Sequence, residues 1–450
     1  MKILIGGAAI LLLAGGFFLF ASPRVAVFDG NAAANGSSTP QTVLQKALSI
    51  LKADEPASNI PAPHSENASA DIENQRPLAS PPEVAKAIYL TGWSAGSESK
   101  LASSMDLIQK RGLNAVIIDI KDYSGYVSYR MDVPGVKATG AENEIRILKP
   151  NTVVKKLHDK NIYVIGRVTV FQDPILAKAH PEWALKNKNT GKLWLDNHGL
   201  AWLDPAGSST WDYVISIAKD ALNRGFDEIN FDYIRFASDG NLDAIQYPFW
   251  QKTRTDADLT RTDAETKREV IRGFFKYLRK NLPDAKISAD LFGLATIDTW
   301  DDLGIGQVIE DAYRYFDYVS PMVYPSHYAA GTLGYKNPAQ HPYEIVRYSM
   351  DAALKRLITY NQKLITATSS ANESSVIGHR SSVKLRPWLQ AFDLGAVYTP
   401  AMINEQIKAV TDAFSNNSST NNSITNTQIT DYYGGWLLWD PTNKYSSYRG

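Results

Sequence analysis

The feature that most constrains the fold is an alternation of two sequence patterns from residue 87 onwards. Short runs of β-branched and aromatic residues alternate there with amphipathic stretches of helical period, which is typical of parallel βαβ units. Strands are predicted at residues 87–91, 115–120, 162–170, 228–234, 286–291, 318–324, 363–367 and 435–439. The clearest helices between them are predicted at residues 99–111, 210–224, 264–281, 342–357 and 399–414. Eight such repeats in about 360 residues favour an α/β fold, a (β/α)8 TIM barrel with enlarged βα loops.

An open, doubly wound sheet is the competing fold for the same alternation. Its commonest version binds a dinucleotide through a Gly-x-Gly-x-x-Gly motif that follows a strand. No such motif follows any of the predicted strands. The barrel is therefore the preferred prediction, and no cofactor is expected.

Residues 1–28 form a separate N-terminal segment. Its apolar run at residues 3–21 is long enough to cross a bilayer, for which about 18 residues suffice. The run is longer than the apolar region of most signal peptides, and cleavage after Ala21 would leave Leu19 where a small residue is usual. We favour a retained membrane anchor and keep a cleaved signal peptide open. Either interpretation predicts that the rest of the chain is exported, with the membrane as a partner of the N-terminal segment.

Residues 29–84 are rich in Pro, Ala, Ser and Asn and lack the apolar density that would offset the entropy of ordering the chain. We predict a disordered linker here and a folded domain at residues 85–450. All ten Trp residues lie at or after Trp93, which places the core-forming part of the chain in that domain. An Asn/Ser/Thr-rich tract at residues 415–430 is predicted to be a surface insertion before the last strand.

Charge and composition exclude several classes of function. The 450 residues include 47 Lys and Arg and 47 Asp and Glu, so the formal net charge is zero. Nucleic-acid-binding domains are strongly basic, and no nucleic-acid partner is expected. The sequence contains no cysteine, which excludes disulfides, thiol nucleophiles and Cys-ligated metals. The seven His residues form no His-x-x-x-His pair and no His-Glu-x-x-His motif, so a metal site is not expected.

Acidic residues lie where reactive groups are expected in a barrel, at the carboxyl ends of the strands. Asp232 is near the end of the fourth predicted strand and Asp290 near the end of the fifth. Side chains alternate faces along a strand, so Asp232 shares a face with Asn230, and Asp290 shares a face with Ser288. The alternate positions are apolar. The polar faces should therefore point into the barrel, where two carboxylates on neighbouring strands suit catalysis at an acetal centre.

Two arginines bear on how those carboxylates would work. Arg167 lies in the third predicted strand and Arg235 just after the fourth, and a paired arginine keeps a carboxylate ionised. A nucleophile benefits from this pairing, whereas a general acid does not. If an arginine pairs with Asp232, then Asp232 is the better nucleophile and Asp290 the better proton donor. Structural ion pairs or helix caps at the same aspartates are the alternative.

Aromatic residues near the predicted strand ends suit a carbohydrate substrate. Flat rings stack on sugar faces, and Tyr and His bind hydroxyl groups, although each ring could equally pack in the core. The candidate substrate-binding residues are Trp93, Asp119, Arg167, Arg235, Tyr324, His327, Trp388 and Trp439. By the same alternation, Asp119 and Lys121 are predicted to share a face of the second strand.

Eight stretches carry a resemblance to a known family: YLTGW at residues 89–93, IDIKDYSG at 118–125, GRVTVFQDP at 166–174, FDYIRF at 231–236, ISADLFG at 287–293, SPMVYPSHY at 320–328, RPWLQ at 386–390 and GWLLW at 435–439. In this order they resemble the bacterial putative glycosyl hydrolase domain family, which is placed among the TIM-barrel glycosidases. The resemblance implies a (β/α)8 barrel that acts on a polysaccharide, with Asp232 and Asp290 as the acid pair. The layout is more distantly similar to α-amylase-like retaining glycosidases, where an acid after strand four is the nucleophile.

Taken together, these features predict a glycoside hydrolase that cleaves an extracellular or cell-envelope polysaccharide by a retaining, two-carboxylate mechanism. Asp232 would attack the anomeric carbon, while Asp290 would protonate the leaving oxygen. A carbohydrate-binding envelope protein without catalysis is the main alternative on the same barrel. A metal-dependent hydrolase using Asp119, Asp122 and His327 is disfavoured by the poor ligand spacing.

Overall fold

The computed structural model describes residues 70–250, 263–369, 383–415 and 426–449. Parallel strands in this part of the chain close into one eight-stranded barrel. They are β1 (Ala85–Leu90), β2 (Ala115–Lys121), β3 (Tyr163–Thr169), β4 (Glu228–Asp232), β5 (Lys286–Phe292), β6 (Tyr318–Met322), β7, split into Lys384–Leu385 and Trp388–Gln390, and β8 (Gly435–Trp439). The ring closes because β8 pairs with both β1 and β7, and β7 pairs with β6.

A helix follows each strand of the barrel. These helices are α1 (Glu98–Lys110), α2 (Pro150–His158), α3 (Ser208–Asn223), α4 (Asp263–Asn281), α5 (Ile309–Tyr313), α6 (Pro342–Ser369), α7 (Pro400–Ala413) and α8 (Ser446–Arg449). This is the predicted (β/α)8 TIM barrel. Among the described residues, no helix combines the length and the apolar character that a membrane span needs; the apolar run at residues 3–21 lies outside them.

Seven of the eight predicted strands are present, and the prediction of a strand at residues 363–367 is wrong. Those residues continue α6. A five-residue apolar run is too short to distinguish a strand from a helix by periodicity. The strand in question, β7, was missed because Arg386 and Pro387 divide it into two very short pieces, and proline has no amide hydrogen for a strand ladder.

The apolar core has two layers. A large cluster lies between the strands and the helices, and it includes Ile229 and Phe231 of β4. A smaller cluster fills the inside of the barrel, with Tyr163 and Ile165 of β3 among its members. Alternation along β4 therefore sends its polar residues inward, as predicted from the sequence.

Residues 70–84, part of the segment assigned to the linker from its composition, make specific contacts with the barrel. The carboxylate of Asp71 accepts hydrogen bonds from the amides of Asn151 and Thr152 at the start of α2 (2.7 and 3.1 Å). The Gln75 amide donates to the carbonyl of Arg224 (3.3 Å). Leu78 packs against the cluster inside the barrel. Contacts with the folded domain therefore begin at Asp71 or earlier.

A buried ion pair crosses the barrel interior near the amino ends of the strands. The guanidinium of Arg386 donates to both carboxylate oxygens of Glu228, and both side chains are inaccessible to solvent. Ser288 Oγ and Tyr163 OH also donate to Glu228 (2.5 and 3.2 Å). Desolvation makes such a pair weak as a net stabiliser, whereas breaking it leaves an uncompensated charge.

We expect Arg386→Met to lower the free energy of unfolding by about 3–5 kcal/mol, because it leaves the buried charge of Glu228 uncompensated. The measurement is urea denaturation followed by tryptophan fluorescence. The double variant Glu228→Leu/Arg386→Met should recover much of the loss, since both charges are gone. Lys408→Met, which breaks an exposed pair with Asp412 on α7, is the control and should change little. Equal losses of stability in Arg386→Met and Lys408→Met would contradict the prediction.

Candidate active site

The guanidinium of Arg167 joins two carboxylates at the carboxyl end of the barrel. Its Nη1 donates to Asp119 Oδ1 (2.6 Å), and its Nη2 and Nε donate to Asp232 Oδ2 (2.6 and 3.2 Å). Arg167 points inward because it continues the alternation of Tyr163 and Ile165 along β3. Burial alone would lower the pKa of Arg167, but the charges of Asp119 and Asp232 raise it well above the usual value.

Asp290 has a different environment although it lies on the next strand. Its Oδ1 accepts hydrogen bonds from Asn230 Nδ2 and Trp388 Nε1 (both 2.8 Å). Its Oδ2 accepts no hydrogen bond from any of the described residues, and Arg167 Nε is 4.0 Å away. Burial, and then the charge of Asp232, raise the pKa of Asp290 well above its ordinary value. Asp290 therefore favours the protonated form, with Oδ2 as the oxygen free to carry the proton.

Asp119 closes the cluster on the side of β2. The hydroxyl of Tyr89 donates to Asp119 Oδ2, and Arg167 binds the other oxygen. Burial is the largest influence and raises the pKa of Asp119 to about 6, against the lowering effect of Arg167. The ring of Tyr89 also stacks on Trp439 at a centroid distance of 4.0 Å. Sequence reasoning missed Tyr89, although it shares the inward face of β1 with Ala85 and Ala87.

The residue directly after Asp232 has an unusual backbone conformation. Tyr233 has a positive φ of 54°, a conformation that costs free energy for a residue other than glycine and is common at functional sites. In this conformation the Tyr233 amide donates to Asp232 Oδ1 (2.6 Å). Both oxygens of Asp232 therefore accept hydrogen bonds, one from the backbone and one from Arg167.

The structure brings together seven of the ten residues singled out from the sequence: Asp119, Arg167, Asp232, Asp290, Tyr324, Trp388 and Trp439. Arg167 lies 5.0 Å from the ring centroid of Trp439. Trp388 is only 1% exposed, so its N–H on Asp290 suits orientation of that carboxyl group rather than stacking on a sugar. Burial and the charges of Asp290 and Asp232 raise the pKa of Tyr324.

The other three candidates lie outside this cluster. Trp93, after β1, is 54% exposed, and Arg146 lies over its ring at 5.6 Å. The guanidinium of Arg235 lies within 5.3 Å of the centroids of three aromatic rings. It donates to Ser238 Oγ (2.9 Å) instead of pairing with Asp232. His327 is exposed, and the edge of its ring meets Tyr324 at a centroid distance of 5.1 Å.

Lys121 does not accompany Asp119, contrary to the predicted shared face. The pairing of β2 with β3 shifts register between these two residues, which interrupts the alternation. Lys121 instead pairs with Asp173 (2.8 Å), where both side chains are fully buried. Asp122 pairs with Arg146 instead, and it does not form a metal site with Asp119 and His327. In the part of the chain that the structure describes, no group of three His, Asp or Glu side chains is arranged to hold a metal ion.

A Gly-x-Ser-x-Gly sequence, at Gly92–Gly96, forms a short helix directly after β1. Packing explains its glycines. A Cβ atom on Gly92 would lie 2.2 Å from Ser128 Oγ, and one on Gly96 would lie 1.9 Å from the carbonyl oxygen of Arg146. Ser94 is only 3% exposed. The two glycines therefore allow this helix to pack closely against the loop after β2. The buried Ser94 is not presented at the surface as a nucleophile.

The fold and the cluster together define a class of protein. A TIM barrel with two inward carboxyl groups on adjacent strands, one paired with arginine and one with a raised pKa, has the equipment of a glycoside hydrolase. The comparison with protein families agrees: residues 87–445 match the family described as "Putative glycosyl hydrolase domain". The chain belongs to this family.

No curated protein matches the chain. Among solved structures, a hypothetical protein from Ruminiclostridium thermocellum ATCC 27405 is 40% identical over 45% of this chain and 96% of its own, with a TM-score of 0.39. The glycoside hydrolase domain of PgaB (BpsB) from Bordetella bronchiseptica is 13% identical over 80% and 95%, with a TM-score of 0.49. The chitobiase of Flavobacterium johnsoniae is 13% identical over 82% and 48%, with a TM-score of 0.47.

The raised pKa of Asp290 predicts a pH-dependent cost to stability. In the unfolded chain this carboxyl group loses its proton near pH 4, whereas the folded protein keeps it to a higher pH. Above pH 4 the folded state therefore binds more protons, and stability falls as pH rises. Asp290→Asn removes this dependence. In urea denaturation, the free energy of unfolding of the variant relative to wild type should rise by about 1.4 kcal/mol for each pH unit above pH 4. This rise should end at the folded-state pKa of Asp290. A difference that stays constant with pH would contradict the prediction.

Proposed function

We propose that the protein is a retaining glycoside hydrolase in which Asp232 is the nucleophile and Asp290 is the general acid and base. The observation that carries the proposal is the contrast between the two carboxyl groups. Asp232 accepts hydrogen bonds from Arg167, whereas Asp290 has a buried, unbonded Oδ2 and a raised pKa. The arginine pair suits Asp232 to the role of nucleophile, and the raised pKa suits Asp290 to the role of proton donor.

In the first step, the Asp232 carboxylate attacks the anomeric carbon and forms a glycosyl ester. The bond between that carbon and the glycosidic oxygen breaks, and the proton on Asp290 Oδ2 passes to the leaving oxygen. Asn230 and Trp388 hold Oδ1 of Asp290, which leaves Oδ2 as the oxygen that would carry the proton. Arg167 holds Asp232 in place and would release it as its charge disappears in the ester.

In the second step, Asp290 acts as a base. Esterification removes the charge of Asp232, which helps to raise the pKa of Asp290, so that pKa falls once the intermediate forms. A water molecule then gives a proton to Asp290 while its oxygen attacks the anomeric carbon. The ester bond breaks, Asp232 recovers its charge, and the sugar leaves with its original anomeric configuration.

The substrate that we propose is a polysaccharide of the cell envelope or the extracellular space. The family supports the class of reaction, and the apolar run at residues 3–21 supports export. We further propose that this run remains as a membrane anchor on the extracytoplasmic side.

We expect Asp232→Asn and Asp290→Asn each to reduce hydrolysis by at least about 10³-fold, because each removes one of the two groups that make and break bonds. The measurement is reducing-end release by the full-length protein in mild detergent, against a panel of bacterial wall polysaccharides and exopolysaccharides. Asp106→Asn, on the outer helix α1 and 56% exposed at its side chain, is the matched control and should retain activity.

Two outcomes would change the assignment. Inversion of the anomeric configuration, observed by NMR of the first product, would make Asp232 a base instead of a nucleophile. Binding of a polysaccharide without release, equal in wild type and both variants, would replace the enzyme with a carbohydrate-binding envelope protein.

The localisation proposal has its own test. Fractionation of cells that express the full-length chain should recover it in the membrane fraction, and protease added outside the cytoplasmic membrane should digest it. Recovery of a shortened, soluble protein outside the cells would show a cleaved signal peptide. A full-length chain protected from protease would contradict export.

A further inference from the structure

The exposed apolar side chains of this protein are concentrated on one face of the barrel. Ten large apolar residues are exposed among those the structure describes. Eight of them lie in the segments that connect a barrel strand to the next of the helices α1–α7: Trp93, Tyr123, Leu148, Leu195, Leu242, Trp300, Leu333 and Val397. Loops of this kind surround the carboxyl end of the barrel, which is also the end where Asp232 and Asp290 lie.

Two tryptophans stand out on this face. All ten Trp residues of the chain fall within the described residues, and just two of them are exposed: Trp93 at 54% and Trp300 at 92%. Trp93 follows β1, and Trp300 lies in the loop after β5. The order of strands around the ring places β1 and β5 opposite each other. The segments that carry the two rings therefore leave the barrel on opposite sides of the ring of strands.

We propose that Trp93 and Trp300 are two binding platforms for one polysaccharide chain that crosses the mouth, and that the enzyme cleaves this chain internally. The proposal rests on the function assigned above and specifies its substrate as a polymer with sugars bound on both sides of the cleaved bond. An enzyme that removes single sugars from a chain end needs a platform on one side alone. Platforms on both sides suit a substrate that continues in both directions.

The surroundings of each ring favour a sugar as its occupant. Arg146 lies over Trp93 and is held by Asp122 and Glu144, while the backbone amides of Trp300 and Asp301 bind the carboxylate of Asp298 (2.9 and 3.4 Å). Flat rings beside charged and hydrogen-bonding groups match the apolar faces and hydroxyl edges of pyranose units. A protein partner would be expected to cover a contiguous apolar patch, whereas these rings stand on opposite loops.

The experiment measures binding and cleavage separately, with the full-length protein in mild detergent. Trp93→Ala and Trp300→Ala are made in wild type and in the Asp232→Asn background, in which bound chains stay intact. Tyr348→Ala, on the outer helix α6 and 40% exposed, is the control. The probes are five soluble bacterial exopolysaccharides, alginate, levan, dextran, xanthan and succinoglycan, tested by affinity electrophoresis, together with short oligosaccharides of whichever polymer binds.

Each Trp variant should weaken binding of the polymer about three- to ten-fold, whereas Tyr348→Ala should not. Each Trp variant should lose more cleavage of the polymer than of the shortest cleaved oligosaccharide, because a short oligosaccharide makes less contact with the platforms. Binding of the polymer that is unchanged in both Trp variants would overturn this inference and leave hydrolysis by Asp232 and Asp290 standing. Release of single sugars alone from the polymer would overturn internal cleavage.

The remaining outcomes separate this inference from the proposed function. Polymer that binds through both tryptophans but is never cleaved would support the platforms and contradict the hydrolase. A protein that neither binds nor cleaves any of the five polysaccharides would contradict both.

Discussion

The arrangement of the mouth depends on Arg167. Three buried carboxyl groups from three different strands meet there, and this guanidinium contacts two of them directly and the third at 4.0 Å. Removing a carboxylate from water costs several kcal/mol unless an opposite charge compensates. One cation for three acids compensates incompletely, and burial together with the charge of Asp232 raises the pKa of Asp290. The different environments of the two catalytic candidates therefore follow from burial and from the position of one guanidinium inside the barrel.

The alternation of side chains along parallel strands made much of this site predictable. Sequence parity predicts that Asp232 and Asp290 face inward. The sequence also offers Arg167 and Arg235 as partners, one of which would separate the two acids if it paired with Asp232. Register supports this, since β4 and β5 pair with Asn230 opposite Ser288. Residues two positions further along each strand then lie at the same height in the barrel.

Other features could not be predicted because they depend on distant contacts. The hydrogen bond from Trp388 Nε1 to Asp290 joins residues 98 positions apart, and a sequence pattern says only that the tryptophan is apolar. The register shift in β2 redirects Lys121, which simple alternation cannot anticipate. Residues near Asp71 have the composition of a linker, yet their polar groups find partners on α2. β7 is held by its neighbours in the barrel rather than by a strong local preference.

The contact of Asp71 with α2 also determines how a pulling force would enter the domain. A load applied from the N-terminal side reaches the hydrogen bonds of Asp71 with the start of α2 before it reaches β1, whose pairing with β8 and β2 closes the barrel. These outer bonds would break first, and the hydrogen bonds of Ile72 with Asn151 and of Gln75 with Arg224 would be loaded next. The hydrogen bond of Leu78 with Asp227 would follow. The segment would thus yield to tension before the hydrogen bonds between the barrel strands are loaded.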